Sequence, residues 1–144
     1  MGINALLPSL KSIVRTVHVG EAYGGKRVAV DSYCWLHRGA YSCSAELVEG
    51  VPTDKFIASF VKRAALLRRC GVEAVYVFDG GRMPGKAAEE ADRQRARSTA
   101  RDRARAHKRA GNSNAANEAY QRAVDVTPEM AKAVIDRLRA EGHA

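Results

Sequence analysis

Residues 28–37 read Val-Ala-Val-Asp-Ser-Tyr-Cys-Trp-Leu-His, and residues 75–80 read Val-Tyr-Val-Phe-Asp-Gly. In each run a short series of apolar residues ends on an aspartate, Asp31 in the first and Asp79 in the second. Such runs predict strands, and the apolar, β-branched and aromatic residues of the second run are typical of a strand covered on both faces. Ligands and metals bind outside the carboxyl ends of parallel strands. We therefore expect both carboxylates to point into one site.

The segments around these two runs have helical patterns. Residues 53–70 carry apolar side chains at helical spacing, with Thr53 and Asp54 as a plausible N-cap and Gly71 at the end. A strand, two helices and a parallel strand form a right-handed crossover unit. The predicted strands cover residues 27–31 and 72–78, and the predicted helices of this part cover residues 4–14 (with Pro8 near the first turn), 35–47 and 53–70.

The positive charge of the chain is concentrated in one segment. Residues 82–109 contain ten lysines and arginines against four acidic residues, and so hold +6 of the formal +8. The helix expected over residues 85–110 has almost no large apolar side chain, so it should stand away from the core. A solvated helix face is the ordinary interpretation of such charge, but a one-sided basic block beside two carboxylates favours a polyanionic partner.

The last third of the chain predicts two more helices. The first covers residues 115–124, and the second runs from Thr127 through residue 138. Thr127 suits the N-cap, Pro128 the first helical position, and Gly142 the C-terminal stop.

Length and composition limit the classes that remain. A chain of 144 residues has the size of one domain, and it contains no apolar stretch of the about 18 residues that cross a bilayer. The three cysteines, Cys34, Cys43 and Cys70, have no CxxC spacing, which disfavours a disulfide framework or a zinc site. We expect them to be small buried residues in a reducing compartment, and we expect an intracellular protein without a secretory signal.

Five motifs in order resemble the N-terminal region of the FEN/XPG family of structure-specific 5′ nucleases. They are Met1-Gly-Ile3 with Leu6-Leu7, then residues 28–40, Pro52-Thr-Asp54, Val77-Phe-Asp-Gly80 and Met83-Pro-Gly-Lys86. The Cys34-Trp-Leu-His37 sequence favours the exonuclease branch of that family over its flap-endonuclease branch.

The resemblance implies an α/β, PIN-like 5′-nuclease fold with a parallel sheet, of which this sequence would hold the N-terminal half. It further implies three parts. They are a metal-site βααβ core at residues 1–81, a basic helical arch at residues 82–127 and a return helix at residues 128–144. The family's remaining metal carboxylates are expected beyond the end of this sequence.

Roles at the site follow from the same resemblance, residue by residue. Asp31 and Asp79 match the first two metal aspartates, and carboxylates suit Mg²⁺ or Mn²⁺, two ions per complete site. Lys86 and Arg93 match the lysine and arginine that contact the scissile phosphate, where they would neutralise developing charge. Gly2 matches a processed N-terminal glycine near the active site.

Other matched residues point to DNA contacts. Tyr33 and His37 match positions near the unpaired terminal nucleotides, where an aromatic ring stacks on bases; for His37 a packed or capping histidine is the alternative. Further arginines of the basic segment would contact phosphates without reading sequence. They are Arg95, Arg97, Arg101, Arg103 and Arg105.

The implied activity is two-metal phosphodiester hydrolysis by a nuclear enzyme of DNA repair and recombination, as a 5′→3′ exonuclease on double-stranded DNA or a 5′ flap endonuclease. Its partners would be DNA with 5′ ends, flaps, nicks or gaps, with no membrane, and sliding-clamp or mismatch-repair proteins through regions beyond this sequence. Ala5 and Ala87 depart from the family pattern, which has a glycine and often a second lysine there.

Two alternatives remain open. The chain could be a non-catalytic DNA-binding module or pseudo-nuclease that recognises branched DNA, or a related phosphodiesterase that acts on RNA. The presence together of Asp31, Asp79, Lys86 and Arg93 disfavours the pseudo-nuclease.

Overall fold

The structure is a computed structural model that describes residues 5–80 and 87–143. In this part of the chain two strands form one sheet, and the remaining regular elements are helices. In chain order they are α1 (Leu6–Ser9), α2 (Val19–Tyr23), β1 (Arg27–Asp31), α3 (Ser32–Tyr41), α4 (Ser44–Glu49), α5 (Lys55–Arg69), β2 (Glu73–Val77), α6 (Ala87–Arg109), α7 (Ser113–Ala123) and α8 (Pro128–Ala140). No helix in the described ranges has the length and hydropathy to span a membrane.

The two strands are parallel, as the sequence predicts. Arg27 lies opposite Glu73, and Asp31 lies opposite Val77. The strand β2 is less buried than the sequence predicts. Its central residues are only partly covered and Val77 is 51% exposed, although Val30 of β1 is buried. The expectation that the second strand is covered on both faces is therefore wrong for the described residues, because the elements packed on β2 there leave its side chains only partly covered.

The main core lies where α5 packs against α3, β2 and α8. Phe60 is fully buried, and its ring centroid lies 5.4 Å from that of Trp35 and 5.7 Å from that of Tyr76. Leu36 of α3 and Val134 of α8 are fully buried in the same cluster. Aromatic pairs at such distances add to the free energy gained by burying their area. This cluster holds α3, and therefore the end of β1, in place.

A helix break separates α3 from α4, whereas the sequence predicted one helix over residues 35–47. Ser42 N donates to the carbonyl of Gly39, three residues back, and the Ser42 hydroxyl donates to the same oxygen at 2.7 Å. These short-range bonds tighten and end the helix. Gly39 also allows α3 to approach α5, because a Cβ there would lie 2.8 Å from the carbonyl oxygen of Phe56.

The N-terminal helix predicted over residues 4–14 is a single turn, α1, with Asn4 outside the described residues. Beyond it the apolar side chains of Ile13 and Val14 are 70% and 61% exposed. A short helix in a protein draws its stability from burying an apolar face. The described chain offers these side chains little cover, so the helical pattern does not persist.

The basic helix α6 packs on α7, which corrects the expectation that it stands apart. Ala100 and Ala104 of α6 are buried, and Ala104 packs against Ala116 and Tyr120 of α7. Alanine pairs bury little area but let two helix backbones approach closely. The prediction considered only large apolar residues and so missed this contact, although α6 does remain outside the main core cluster.

The remaining helix predictions are confirmed. The helix predicted over residues 53–70 is α5, and the one predicted over residues 115–124 is α7. The Thr127 hydroxyl caps α8 by accepting from Met130 N, Pro128 occupies its first turn, and Gly142 follows it with φ 69°. Of the cysteines, only Cys43 is buried as expected, since Cys34 is exposed and Cys70 is partly covered.

Candidate metal and nucleic-acid site

Asp31 and Asp79 lie at the same edge of the sheet. Asp31 is the last residue of β1 and pairs in register with Val77, the last residue of β2. Asp79 follows two residues later, and both carboxylates are exposed. The strand pairing therefore places both predicted aspartates at the carboxyl edge of the sheet.

Asp31 also caps α3. Its Oδ1 accepts hydrogen bonds from the backbone nitrogens of Tyr33 at 3.0 Å and Cys34 at 3.4 Å. Its Oδ2 accepts from the Cys34 thiol, with Sγ at 3.2 Å. The thiol, and then the backbone donors, favour the charged carboxylate and hold the pKa of Asp31 below its ordinary value, while partial burial opposes them.

The carboxylates of Asp31 and Asp79 suit a hard divalent cation. Two carboxylates, one of them held ionised, are the oxygen ligands that Mg²⁺ uses, often together with water and substrate phosphate. The described ranges contain no group of three or more His, Cys, Asp or Glu side chains that could hold a metal ion. Asp31 and Asp79 thus fit as part of a coordination shell.

Tyr33 and His37 follow Asp31 along α3. Tyr33 is partly buried, and its ring meets that of Phe78 edge-on with centroids 6.2 Å apart. Burial is the largest effect on His37 and lowers the pKa of its imidazole, and the charge of Arg97 lowers it further. The carboxylates of Asp125 and Asp31 act in the opposite direction. The charges that act on His37 therefore lie both at the end of β1 and on the basic helix α6.

Arg97 is the most covered arginine of the ion pairs on α6, with a side chain 18% exposed. Its Nη1 lies 3.0 Å from Glu90 Oε1 and 3.2 Å from Asp125 Oδ1. These contacts join α6 to the segment between α7 and α8. Arg97 therefore has two acidic partners within the described residues.

Arg105 of α6 forms an ion pair with Glu49 of α4. Its Nε donates to Glu49 Oε1 at 3.1 Å and its Nη2 to Glu49 Oε2 at 3.2 Å. The hydroxyl of Tyr120 donates to the same carboxylate at 3.0 Å. The Arg105 guanidinium and then the Tyr120 hydroxyl lower the pKa of Glu49. This network joins α4, α6 and α7.

The other arginines of α6 are more accessible. Arg93 lies 3.8 Å from Glu89 and 3.7 Å from Glu90, and the exposed Arg95 pairs with Asp92 one turn before it. Such exposed pairs are weak and exchange easily for other anions.

Arg101 and Arg103 have no ion pair with any residue in 5–80 or 87–143, and Arg101 Nε is buried without a hydrogen-bond partner there. Arg103 lines a groove of about 470 Å³ between α6 and α7, with Arg122 on its other side.

Two of the predicted site residues, Gly2 and Lys86, lie outside the described residues. Conversely, sequence reasoning missed Cys34 as a partner of Asp31, and Glu49 and Asp125 as partners of the arginines. The first could have been found, since Cys34 stands at the third position of a helix capped by Asp31. Nothing in the local sequence marks Glu49 or Asp125, because their partners lie 56 and 28 residues away along the chain.

The fold and the site define a class of α/β domain in which carboxylates at the ends of parallel strands lie next to a basic helix. Residues 1–100 match the XPG N-terminal domain. The chain belongs to this family, and the match confirms the resemblance drawn from the five motifs.

Curated relatives extend the similarity over nearly the whole chain. Exonuclease 1 of Oryza sativa subsp. japonica is 48% identical over 141 residues, which cover 98% of this chain and 17% of that protein. Exonuclease 1 of Arabidopsis thaliana is also 48% identical over 141 residues, with 98% and 19% covered. Exodeoxyribonuclease 1 of Saccharomyces cerevisiae is 42% identical over 142 residues, with 99% and 20% covered. The chain therefore spans about a fifth of the length of these relatives.

Proposed function

We propose that this chain supplies the metal-binding strand edge and the basic helix of a Mg²⁺-dependent 5′ nuclease that acts on DNA. The observation that carries this proposal is the position of Asp31 and Asp79 at one edge of a parallel sheet, in a chain similar to proteins named Exonuclease 1. The finer proposal is 5′→3′ exonuclease or 5′ flap endonuclease activity in nuclear DNA repair and recombination. Residues 1–81 would form the metal-site core, residues 82–127 the helical arch and residues 128–144 the return helix.

Asp31 and Asp79 would hold Mg²⁺, or Mn²⁺, through their carboxylate oxygens. When bound, the metal lowers the pKa of the attacking water and stabilises the entering and leaving oxygens of the phosphodiester. Asp31 is suited to this role because its hydrogen bonds already favour the ionised form and fix it at the start of α3. No proton must leave Asp31 at neutral pH before it can bind a cation.

Lys86 and Arg93 would neutralise the charge that develops on the scissile phosphate. Arg93 is available for this role, since its contacts with Glu89 and Glu90 are long and exposed. Gly2 would pack nearby. Tyr33 and His37 would face the terminal nucleotides from the first two turns of α3, where the largely neutral imidazole of His37 suits contact with a base.

The basic helix would hold the DNA backbone. Arg95 and Arg103 are supported in this role by their exposure and by their weak or absent acidic partners within the described residues. Arg101 also lacks an acidic partner there, but it is only partly exposed and its Nε is buried. Arg97 and Arg105 could contribute only by exchanging Asp125 or Glu49 for a phosphate. The predicted DNA-binding arginines therefore fall into two groups. One has weak or no acidic partners, and the other, Arg97 and Arg105, is paired with acidic residues of the protein.

The test is cleavage of end-labelled DNA by the full-length protein carrying Asp79→Asn. We expect cleavage of flapped and nicked duplexes to fall by at least about 100-fold, because a metal ligand is lost while DNA binding through phosphate contacts persists. Asp54→Asn is the matched control, since Asp54 is an exposed aspartate whose side chain makes no capping bond. Cleavage unchanged by Asp79→Asn would refute the metal assignment.

A non-catalytic DNA-binding module is the second candidate. It is favoured by the lack of a complete metal-ligand group in residues 5–80 and 87–143. Such a module would bind branched DNA with a steep dependence on salt concentration, and the unmodified protein would show no Mg²⁺-dependent cleavage. The same assay with an RNA strand of identical structure would detect a ribonuclease.

A further inference from the structure

We propose that Cys34 is a positioning residue that fixes the orientation of the Asp31 carboxylate through its thiol. The inference rests on the proposed function, in which Asp31 is a metal ligand. Cys34 itself is not assigned as a ligand.

The geometry divides the two oxygens of Asp31 between two kinds of donor. Oδ1 is held by the backbone nitrogens of Tyr33 and Cys34, at 3.0 and 3.4 Å. Oδ2 is contacted by the Cys34 thiol at 3.2 Å. The backbone bonds alone would hold one oxygen and let the carboxylate turn about its own axis. The added thiol contact holds the second oxygen and so defines the plane of the group.

The packing of Cys34 does not account for its presence. Its side chain is exposed, whereas Cys43, nine residues later and directly before α4, is 2% exposed and belongs to the main core cluster. Within the described residues the polar contact of the Cys34 side chain is the one with Asp31. The position of Cys34 is therefore explained by its thiol contact with Asp31 and not by burial in the core.

The contact modifies a familiar helix-start pattern. In a capping box the third helical residue reaches back to the backbone of the N-cap residue. Here Cys34, the third residue of α3, reaches back to the side chain of its N-cap residue, Asp31. The helix start thereby orients a carboxylate as well as satisfying backbone donors. Groups that hydrogen-bond metal-ligating carboxylates commonly govern metal affinity in this way.

The first experiment measures the Mn²⁺ dissociation constant of the full-length protein, by electron paramagnetic resonance of the free ion. We expect Cys34→Ala to weaken binding by about tenfold, at the low end of the effect of such outer contacts because a thiol is a weak donor. Cys34→Ser keeps a donor and should recover binding to within about threefold of the unmodified chain. Cys70→Ala is the control, since Cys70 makes no carboxylate contact among the described residues, and it should change nothing.

Asp31→Asn separates failure of this inference from failure of the proposed function. If Asp31→Asn abolishes Mn²⁺ binding and Cys34→Ala leaves it unchanged, the positioning role is refuted while the metal site stands. If no Mn²⁺ binding depends on Asp31, the metal assignment fails and the inference fails with it.

A spectroscopic measurement tests the thiol contact directly. The infrared S–H stretching band of Cys34, assigned from its loss in Cys34→Ala, should be shifted as in a hydrogen-bonded thiol and should move towards the free-thiol position in Asp31→Ala. A purely structural cysteine would not respond to the carboxylate. A band at the free-thiol position in the unmodified chain would overturn the proposal.

Discussion

Nη1 of Arg97 lies 3.2 Å from Oδ1 of Asp125, and this contact joins the basic helix α6 to the segment that precedes α8. The same nitrogen lies 3.0 Å from Glu90 Oε1, and the Arg97 side chain is mostly covered. A covered guanidinium with two acidic partners contributes to stability, and removing it takes from Asp125 the ion pair that ties its segment to α6. Arg97 therefore differs from Arg103, which carries the same charge on an exposed part of the same helix.

Replacing each of these arginines should give different results. We expect Arg97→Ala to lower the free energy of unfolding by about 1–2 kcal/mol, since it breaks a partly buried network. Arg103→Ala should change it by less than about 0.5 kcal/mol and should lower the salt dependence of DNA binding by about one phosphate contact. Urea unfolding and DNA titrations at several salt concentrations measure these effects. Equal stability of the two variants would contradict the structural role of Arg97.

The sequence predicted the parts of the fold that depend on local signals. Both strands end near the expected aspartates, and α8 begins at Thr127 and Pro128 because capping and proline geometry act within one helical turn. The prediction that Asp31 and Asp79 lie at one edge of the sheet required only that the two strands be parallel. Contacts between segments that are distant in the sequence could not be predicted in this way.

Three features that the sequence did not predict depend on such contacts between distant segments. The break after α3 accompanies the close approach of Gly39 to Phe56, a contact between two helices. The packing of α6 on α7 depends on alanines such as Ala104, whose small side chains give no amphipathic signal. The pairing of Arg97 with Asp125 depends on how the segments after α6 fold back, which charge counts do not reveal.

Tyr120 tests the second network on the basic helix. Its side chain is 2% exposed, and its hydroxyl donates to Glu49 Oε1 at 3.0 Å. We expect Tyr120→Phe to cost about 1.5–3 kcal/mol, because the ring keeps its packing while one hydrogen bond to a charged group is lost. Tyr41→Phe, at a tyrosine that is 44% exposed, is the control and should be neutral in the same urea titration. A neutral result for both would show that Arg105 alone satisfies Glu49.

His37 should make stability depend on pH. Burial and the charge of Arg97 lower its pKa below the ordinary 6.5, and the opposing carboxylates of Asp125 and Asp31 do not reverse this. The unfolded chain therefore binds more protons than the folded one in this range, so the stabilisation is complete above about pH 6.5 and is lost as the pH falls through the folded pKa.

The corresponding variant is His37→Gln, which cannot titrate. We expect its free energy of unfolding to fall less than that of the unmodified chain between about pH 7 and pH 5, as measured by urea unfolding at each pH. His18→Gln, at an exposed histidine that makes no capping bond, is the matched control for the substitution itself. Identical profiles for the His37 variant and the unmodified chain would contradict the lowered pKa.

The two strand-end aspartates should differ in their effect on folding although both are proposed to hold the metal. Asp31 accepts two backbone hydrogen bonds at the start of α3, whereas Asp79 is exposed beyond the end of β2. We expect Asp31→Ala to lower the free energy of unfolding by about 1 kcal/mol through loss of the N-cap, and Asp31→Asn to preserve most of it because asparagine caps nearly as well. Asp79→Ala should leave stability within about 0.5 kcal/mol of the unmodified chain. Urea unfolding without divalent cations isolates this effect, and a loss for Asp79→Ala equal to that for Asp31→Ala would show that capping by Asp31 does not distinguish the two positions.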